Sequence, residues 1–290
     1  MLTARHAGVL GSPISHSLSP VLHRAAYAAL GLEGWTYDAA RVEAAGLVEH
    51  VSRLGDDWVG LSLTMPLKEA AFAVAGEVSA IALATGAVNT LVRRPAGGGG
   101  GAGAWWGDNT DVHGLVAALG EAGVDRAARL LVVGSGATAR SAVAAASALG
   151  AGHVTFMVRG QVRPVTLLQA RTAGLVVEQV AEGEWPADVD VVVSTVPPAS
   201  TAAWADRLPP GGRAVLDVVY ADGPTPLTTA AGRLGYAAVP GTAMLLHQAA
   251  RQVELMTGRP APVDTMRQAL DAALTTRATA PTPAVAEPER

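Results

Sequence analysis

Between Arg129 and Arg159 the chain carries one unit that few folds can accommodate. The apolar run Arg129-Leu130-Leu131-Val132-Val133 leads into Gly134-Ser135-Gly136-Ala137-Thr138-Ala139-Arg140, an alanine-rich helical pattern to about Leu149, and the stop Gly150-Ala151-Gly152. A second apolar run, Val154-Thr155-Phe156-Met157-Val158, ends at Arg159. Strand, glycine turn, helix and strand in this order make a βαβ unit. Glycines at its first turn let the backbone approach a pyrophosphate, which then rests on the helix N-terminus. The tip of the second strand meets the ribose, where an acid accepts from a 2′-OH and an arginine pairs with a 2′-phosphate. Arg159 therefore favours NADP over NAD.

The glycine spacing alone decides little in a chain with 33 glycines. Gly97-x-Gly99-x-x-Ala102 and Gly98-x-Gly100-x-x-Gly103 also match, but neither follows a strand or opens a helix. Only Gly134-x-Gly136-x-x-Ala139 has the required flanks. At 290 residues the chain has room for two domains, and with half its residues apolar and 16% charged it has the makings of a large core. A net charge of −4 gives no footprint for nucleic acid, and the absence of cysteine excludes disulfides and thiolate metal sites. The opening residues Met1 to His6 show no apolar signal core. The longest uncharged stretch, Ser141 to Val158, is divided by Gly150, Gly152 and His153, so no membrane span is expected and the cytoplasm is the expected compartment.

Apolar strands alternating with helical patterns predict a parallel α/β architecture. In the first part, strands are expected at Ala7–Gly11, Trp35–Val42, Val59–Thr64, Ala87–Arg93 and Ala104–Gly107. Helices are expected at about Pro20–Leu30 and Ala44–Leu54, with Pro66 in the first turn of a third. The glycine run from Pro95 to Gly103 reads as a mobile surface loop. A helix from Asp111 to Gly123 crosses to the second unit, whose strands are expected at Leu130–Val133, His153–Val158, Val189–Ser194 and Ala214–Val219. Helices at Gly241–Thr257 and about Asp264–Thr276 follow, and the Thr/Ala/Pro/Glu tail after them reads as disordered.

Polar residues gather at strand ends in the first half. Ser15-His16-Ser17-Leu18-Ser19-Pro20 follows the first strand; its serines are either helix caps or ligands for a substrate carboxylate. Lys68, in Thr64-Met65-Pro66-Leu67-Lys68, is by itself an ordinary solvated charge. Asn89 lies in Gly86-Ala87-Val88-Asn89-Thr90. Gly107-Asp108-Asn109-Thr110-Asp111 sits at a strand-to-helix junction, where capping by Thr110 or Asp111 is the plain alternative. Lys68, Asn89 and Asp111 are each expected just beyond a strand end, where open α/β sheets place their ligands. A lysine beside a carboxylate can pass a proton to and from an alcohol oxidised by a nicotinamide. His16 and His23 lack a third ligand at suitable spacing, so no metal is expected.

Taken in order, these blocks resemble the shikimate dehydrogenase family over nearly the whole chain. They are Gly11-Ser12-Pro13-Ile14-Ser15-His16-Ser17-Leu18-Ser19-Pro20 with His23, Leu63 to Glu69, Gly86 to Thr90, Gly107 to Asp111, Asp217-Val218-Val219-Tyr220 with Thr225-Pro226-Leu227, and Gly241 to Ala250. The resemblance implies reversible NADPH-dependent reduction of 3-dehydroshikimate to shikimate, on the way to chorismate and the aromatic amino acids. It implies an α/β fold of two domains: a substrate domain (1–110, completed by helices in 241–277) and a Rossmann-type doubly wound nucleotide domain (111–240), with 278–290 as the tail.

By matching position, Ser17, Ser19 and Tyr220 would face the substrate carboxylate, and Thr64, Asn89, Asp111 and Gln248 the ring hydroxyls. Lys68 would donate the proton, with Asp111 as its partner. The cofactor would meet Gly134, Ser135, Gly136, Ala137, Thr138, Ala139, Arg159, Arg163, Thr195, Val196, Val218, Gly241 and Met244. The chain departs from the family where Val158-Arg159-Gly160 replaces Asn-Arg-Thr, where Gly136-Ala137 replaces a glycine pair, in the Val193-Ser194-Thr195-Val196-Pro197 stretch, and at Arg24, where asparagine is common. A quinate or amino-analogue dehydrogenase of the same family and a non-catalytic regulatory homologue stay open as alternatives. So does a homodimer.

Overall fold

The computed structural model describes residues 4–94, 103–220 and 223–279. Most of the glycine run and the tail beyond Thr279, for which mobility and disorder were expected, lie outside the described residues. The strands are β1 (Arg5–Gly11), β2 (Trp35–Arg41), β3 (Trp58–Leu63), β4 (Glu77–Val78), β5 (Thr90–Arg93), β6 (Trp105–Asp108), β7 (Arg129–Val133), β8 (His153–Val158), β9 (Val176–Ala181), β10 (Val191–Ser194), β11 (Ala214–Asp217) and β12 (Ala237–Pro240). The helices are α1 (Ser19–Ala29), α2 (Leu47–Ser52), α3 (Leu67–Ala70), α4 (Ala80–Thr85), α5 (Asp111–Glu121), α6 (Ala137–Ala148), α7 (Pro164–Thr172), α8 (Pro198–Thr201), α9 (Pro226–Arg233), α10 (Gly241–Thr257) and α11 (Val263–Thr279).

Among the described residues the strands form two six-stranded sheets, β2-β1-β3-β5-β6-β4 and β12-β11-β10-β7-β8-β9. The second is parallel throughout. Its central strands read as unbroken apolar runs because both faces are covered: all four residues of β10 and of β11 are buried. The strand order reverses between β7 and β10, which opens a crevice at their carboxyl ends. Alanine makes α6 thin enough to lie close on the sheet, and Ala139, Ala142, Ala145 and Ala146 are buried there with Val143.

The expectation of a parallel architecture fails in the first sheet. β5 runs antiparallel to both β3 and β6, pairing Ser62 with Thr90 and Thr90 with Asp108. Asn89 accordingly precedes a strand and does not follow one. Because β5 is inverted, its start lies beside the ends of β3 and β6: Leu63 N donates to Asn89 O (2.7 Å) and Asn89 N to Asp108 O (3.0 Å).

Four further elements escape the periodicity reading. The edge strands β9 and β12 are half-exposed, so their apolar pattern is weak; β4, at two residues, and α4, at six, are too short to show a period. Residues 278 and 279, assigned to the tail, belong to the last turn of α11.

Two helices join the sheets. A Cβ at Gly114 in α5 would lie 2.7 Å from Met244 O in α10, so the two helices touch backbone to backbone. Beyond that crossing α10 and α11 pack on α1: Leu246, Ala249, Val253, Met266 and Leu270 share one core with Leu18, Leu22 and Ala26. No helix is long and apolar enough to cross a membrane among the described residues.

Candidate active site

The inverted β5 creates the site. It sets Asn89 between the segment that follows β3, with Thr64 in its turn and Lys68 in α3, and the helix that follows β6, starting at Asp111. Lys68 Nζ donates to Asp111 Oδ2 at 2.5 Å, and Asn89 Nδ2 donates to Asp111 Oδ1 at 2.8 Å. The Lys68 and Asp111 side chains are only 14% and 6% exposed, so this is a shielded ion pair and not a solvated lysine. Capping does not explain Asp111 or Ser19. Thr110 stands at the N-cap of α5 without a side-chain cap bond, and Leu18, not Ser19, holds that position in α1.

A cavity of about 450 Å³ opens over the pair. Ser17, Ser19, Thr64, Asn89, Tyr220 and Gln248 line it with Lys68 and Asp111, so every residue assigned to substrate faces the same space. Ser17 Oγ accepts from Ser19 N at 3.3 Å. Burial pushes the Tyr220 phenol above its ordinary range, a hydrogen bond with the Leu18 backbone partly offsetting this. The same cavity is also lined by Thr138, Val218, Gly241 and Met244.

The remaining cofactor candidates lie around the β7–α6 turn. Gly134 has φ +102°, and a Cβ there would sit 2.6 Å from Thr195 Oγ1 and 3.0 Å from Val196 Cγ1. Space over Gly136 is open, with nothing within 4 Å of where a Cβ would stand. No side chain caps α6, so the N–H groups of Ala137 and Thr138 are free of intrahelical partners. An open backbone and an uncapped helix N-terminus fit a pyrophosphate. Ser135 O accepts from Thr166 Oγ1 of α7 at 2.8 Å, fixing the turn beside Arg163, the N-cap residue of α7. Arg159 is exposed at the tip of β8, 3.9 Å from Glu182. Ala139 differs from the rest: it is fully buried in the core and packs the helix onto the sheet.

Two family profiles match this chain: "Shikimate dehydrogenase substrate binding domain" over residues 9–91 and "Shikimate 5'-dehydrogenase C-terminal domain" over residues 241–270. The Shikimate dehydrogenase (NADP(+)) of Synechococcus sp. (strain JA-3-3Ab) is 37% identical over 278 residues, covering 90% of this chain and 91% of the relative. The chain belongs to the shikimate dehydrogenase family. The solved shikimate dehydrogenase of Mycobacterium tuberculosis is 42% identical, with a TM-score of 0.83 over 92% of this chain and 99% of that one. The Thermus thermophilus shikimate dehydrogenase, solved in complex with NADP(H) and shikimate, is 30% identical with a TM-score of 0.79 over 93% and 99%. The fold is the two-domain α/β fold of these shikimate dehydrogenases.

Gln252 and Ser62, which also line this cavity, belong to a polar chain that sequence reading missed. Gln252, one turn beyond Gln248 on α10, donates through Nε2 to Thr90 Oγ1 (2.9 Å), and Thr90 Oγ1 donates to Asn89 Oδ1 (2.7 Å). Gln252 Oε1 accepts from Ser62 Oγ at 2.7 Å and from His23 Nε2 at 3.3 Å. The i, i+4 spacing of the two glutamines was the available signal, since it sets both on one helix face. Asn109 Oδ1 accepts from Asp111 N at 3.2 Å, holding the start of α5 from a second side. Arg24, a departure from the family pattern, donates to Tyr37 O at 2.8 Å and to Asp38 Oδ1 at 2.7 Å.

His23 is fully buried and stacked on Tyr37 with ring centroids 3.9 Å apart. Burial holds its imidazole down to about 3, against a weaker opposing pull from Gln252. The unfolded chain binds this proton below an ordinary value of about 6.5, while the folded chain refuses it until about 3. Stability is therefore expected to fall as pH drops from 6.5 toward 3, by up to about 1 kcal/mol per pH unit from this group. Thermal melts across that range should be less acid-sensitive for His23→Gln than for wild type; parallel curves would remove His23 as the cause.

Proposed function

We propose that the chain catalyses the reversible NADPH-dependent reduction of 3-dehydroshikimate to shikimate, a step toward chorismate and the aromatic amino acids. One observation carries the reading: a shielded lysine–carboxylate pair faces a cavity that Thr138 of the glycine-turn helix and Gly241 and Met244 of α10 also line. In this reading residues 1–110 with 241–277 form the substrate domain and 111–240 the nucleotide domain. The shared core of α1, α10 and α11 supports that division.

Ser17, Ser19 and Tyr220 offer their hydroxyls in the cavity to the substrate carboxylate. Thr64, Asn89, Asp111 and Gln248 take the ring hydroxyls. When bound, NADPH supplies a hydride to the carbonyl carbon. Lys68 then gives a proton from Nζ to the carbonyl oxygen as negative charge grows there, and in the reverse direction accepts it from the alcohol. Asp111 keeps the ammonium aimed at that oxygen, and Asn89 fixes Asp111 through its second oxygen.

For the cofactor we assign the pyrophosphate to the Gly134–Thr138 turn and the 2′-phosphate to Arg159 and Arg163. Glu182 competes for Arg159 at 3.9 Å. Glu182→Gln is therefore expected to tighten NADP binding a few-fold, and NAD binding hardly at all, in titrations at low salt, because only NADP carries the extra phosphate. Equal effects on both nucleotides would remove Arg159 from the 2′-phosphate.

The function is tested by mixing the protein with shikimate or quinate and either NADP or NAD and following nicotinamide reduction. Turnover is expected with shikimate and NADP. Turnover with quinate alone would overturn the substrate, and none with either would favour a non-catalytic homologue.

A further inference from the structure

Among the described residues the largest fully buried side chain is a charged one, Arg140, at 1% exposure. It lies on α6, one turn past the glycine loop, where its N–H bonds Gly136 O at 3.1 Å. Its guanidinium leaves the nucleotide side altogether. Nε donates to Thr85 O at 2.5 Å, and Nη2 donates to Gly86 O at 3.1 Å and to Glu69 Oε1 at 2.6 Å. Thr85 ends α4 and Gly86 is its C-cap, so a cation here also meets the negative end of that helix.

The three segments gripped here carry the reactive groups. Glu69 adjoins Lys68. The Thr85–Gly86 turn leads into Val88, whose N–H bonds Lys68 O at 2.8 Å, and then to Asn89. Ser141, next to Arg140 on α6, accepts from Asn109 Nδ2 at 3.0 Å, and the same nitrogen donates to Thr85 Oγ1 at 2.9 Å. Asn109 in turn holds Asp111 N. One turn of α6 thus reaches all three members of the Lys68–Asp111–Asn89 cluster through their backbones or sequence neighbours. No atom of Arg140 lines the substrate cavity.

We infer that Arg140 is a positioning residue: it locks the proton-transfer cluster to the helix that carries the cofactor loop, so that proton donor and hydride source are set at a fixed separation. Two reactants held in register lose little by binding and much by loosening, so the effect falls on the chemical step. The inference rests on the proposed reductase chemistry for its kinetic arm only.

Arg140→Ala, Arg140→Lys, Glu69→Ala and the Arg140→Ala/Glu69→Ala double variant are assayed with shikimate and NADP after their melts confirm folding. Arg140→Ala is expected to lower kcat about 10- to 100-fold, with both KM values within about threefold and a larger primary isotope effect from deuterated shikimate. Glu69→Ala should lose less, Arg140→Lys should recover part of the loss, and the double variant should be no slower than Arg140→Ala alone. Wild-type kcat in folded Arg140→Ala, multiplicative losses in the double variant, or a rise in KM for NADP alone would each overturn the inference.

Glu69 is 57% exposed, so Glu69→Ala decides the matter if Arg140→Ala does not fold. An activity-independent arm uses hydrogen exchange. NADP is expected to slow exchange at residues 67–73 and 85–90 in wild type and much less in Glu69→Ala. Unchanged transmission in that variant counts against the link. Transmission that is lost in it, in a protein that does not turn shikimate over, would keep the link and discard the substrate.

Discussion

Lys68→Ala is expected to turn shikimate over about 10²–10⁴-fold more slowly than wild type while its KM stays nearly unchanged. The magnitude is that of a general acid removed from a site whose other groups stay in place. Lys68 contacts Asp111 and faces the cavity, and the carboxylate and hydroxyl contacts we assign to substrate come from Ser17, Ser19, Tyr220, Thr64, Asn89 and Gln248. Deleting the ammonium therefore costs proton transfer and little ground-state binding. Asp111 would remain with Asn89 Nδ2 as a donor at 2.8 Å, so its orientation survives. The check is steady-state kinetics on a variant whose melt shows it folded. A large rise in KM at unchanged kcat would make Lys68 a binding group and leave the proton without a donor.

Gly134→Val is expected to abolish measurable NADP binding while shikimate still binds. At φ +102° any side chain is strained, and a Cβ would sit 2.6 Å from Thr195 Oγ1, itself held to Val133 O at 2.7 Å. Neither wall of that contact can retreat easily, because Val133 ends β7 and Thr195 directly follows the adjacent strand β10. The strain and overlap together are worth roughly 2–4 kcal/mol, enough to displace the glycine turn from the start of α6. Shikimate binding is expected to survive, since Gly134, Thr195 and Val196 do not line the cavity that Ser17, Ser19 and Tyr220 line. Calorimetric titration with each ligand separates the effects. Undiminished NADP affinity would mean that the pyrophosphate does not approach this turn.

Much of the second sheet was legible in the sequence, because its signals are local. The β7–α6–β8 unit needs only an apolar run, two glycines and a helix of small residues, all within one stretch of chain. Central strands such as β10 announce themselves because both faces are buried. Edge strands do not: β9 and β12 carry mixed patterns that a loop could also show. The identities of Lys68, Asn89 and Asp111 were likewise legible, through the blocks around them. The supporting residues were not, since nothing near Gln252, Asn109 or Arg140 in sequence says what each will bond.

What the amino-acid sequence determined by itself was the kind of parts: a glycine turn between strand and helix with an arginine at the tip of the next strand, a lysine and a carboxylate in family blocks, and helices and strands set by short-range periodicity. What only the tertiary structure decided was their meeting. Hydrophobic period and turn chemistry depend on neighbours a few residues away, so they can be read from the chain. The direction of β5 cannot, because it is chosen by lateral hydrogen bonding to β3 and β6, and that inversion is what carries Asn89 to the ends of both strands and between Lys68 and Asp111.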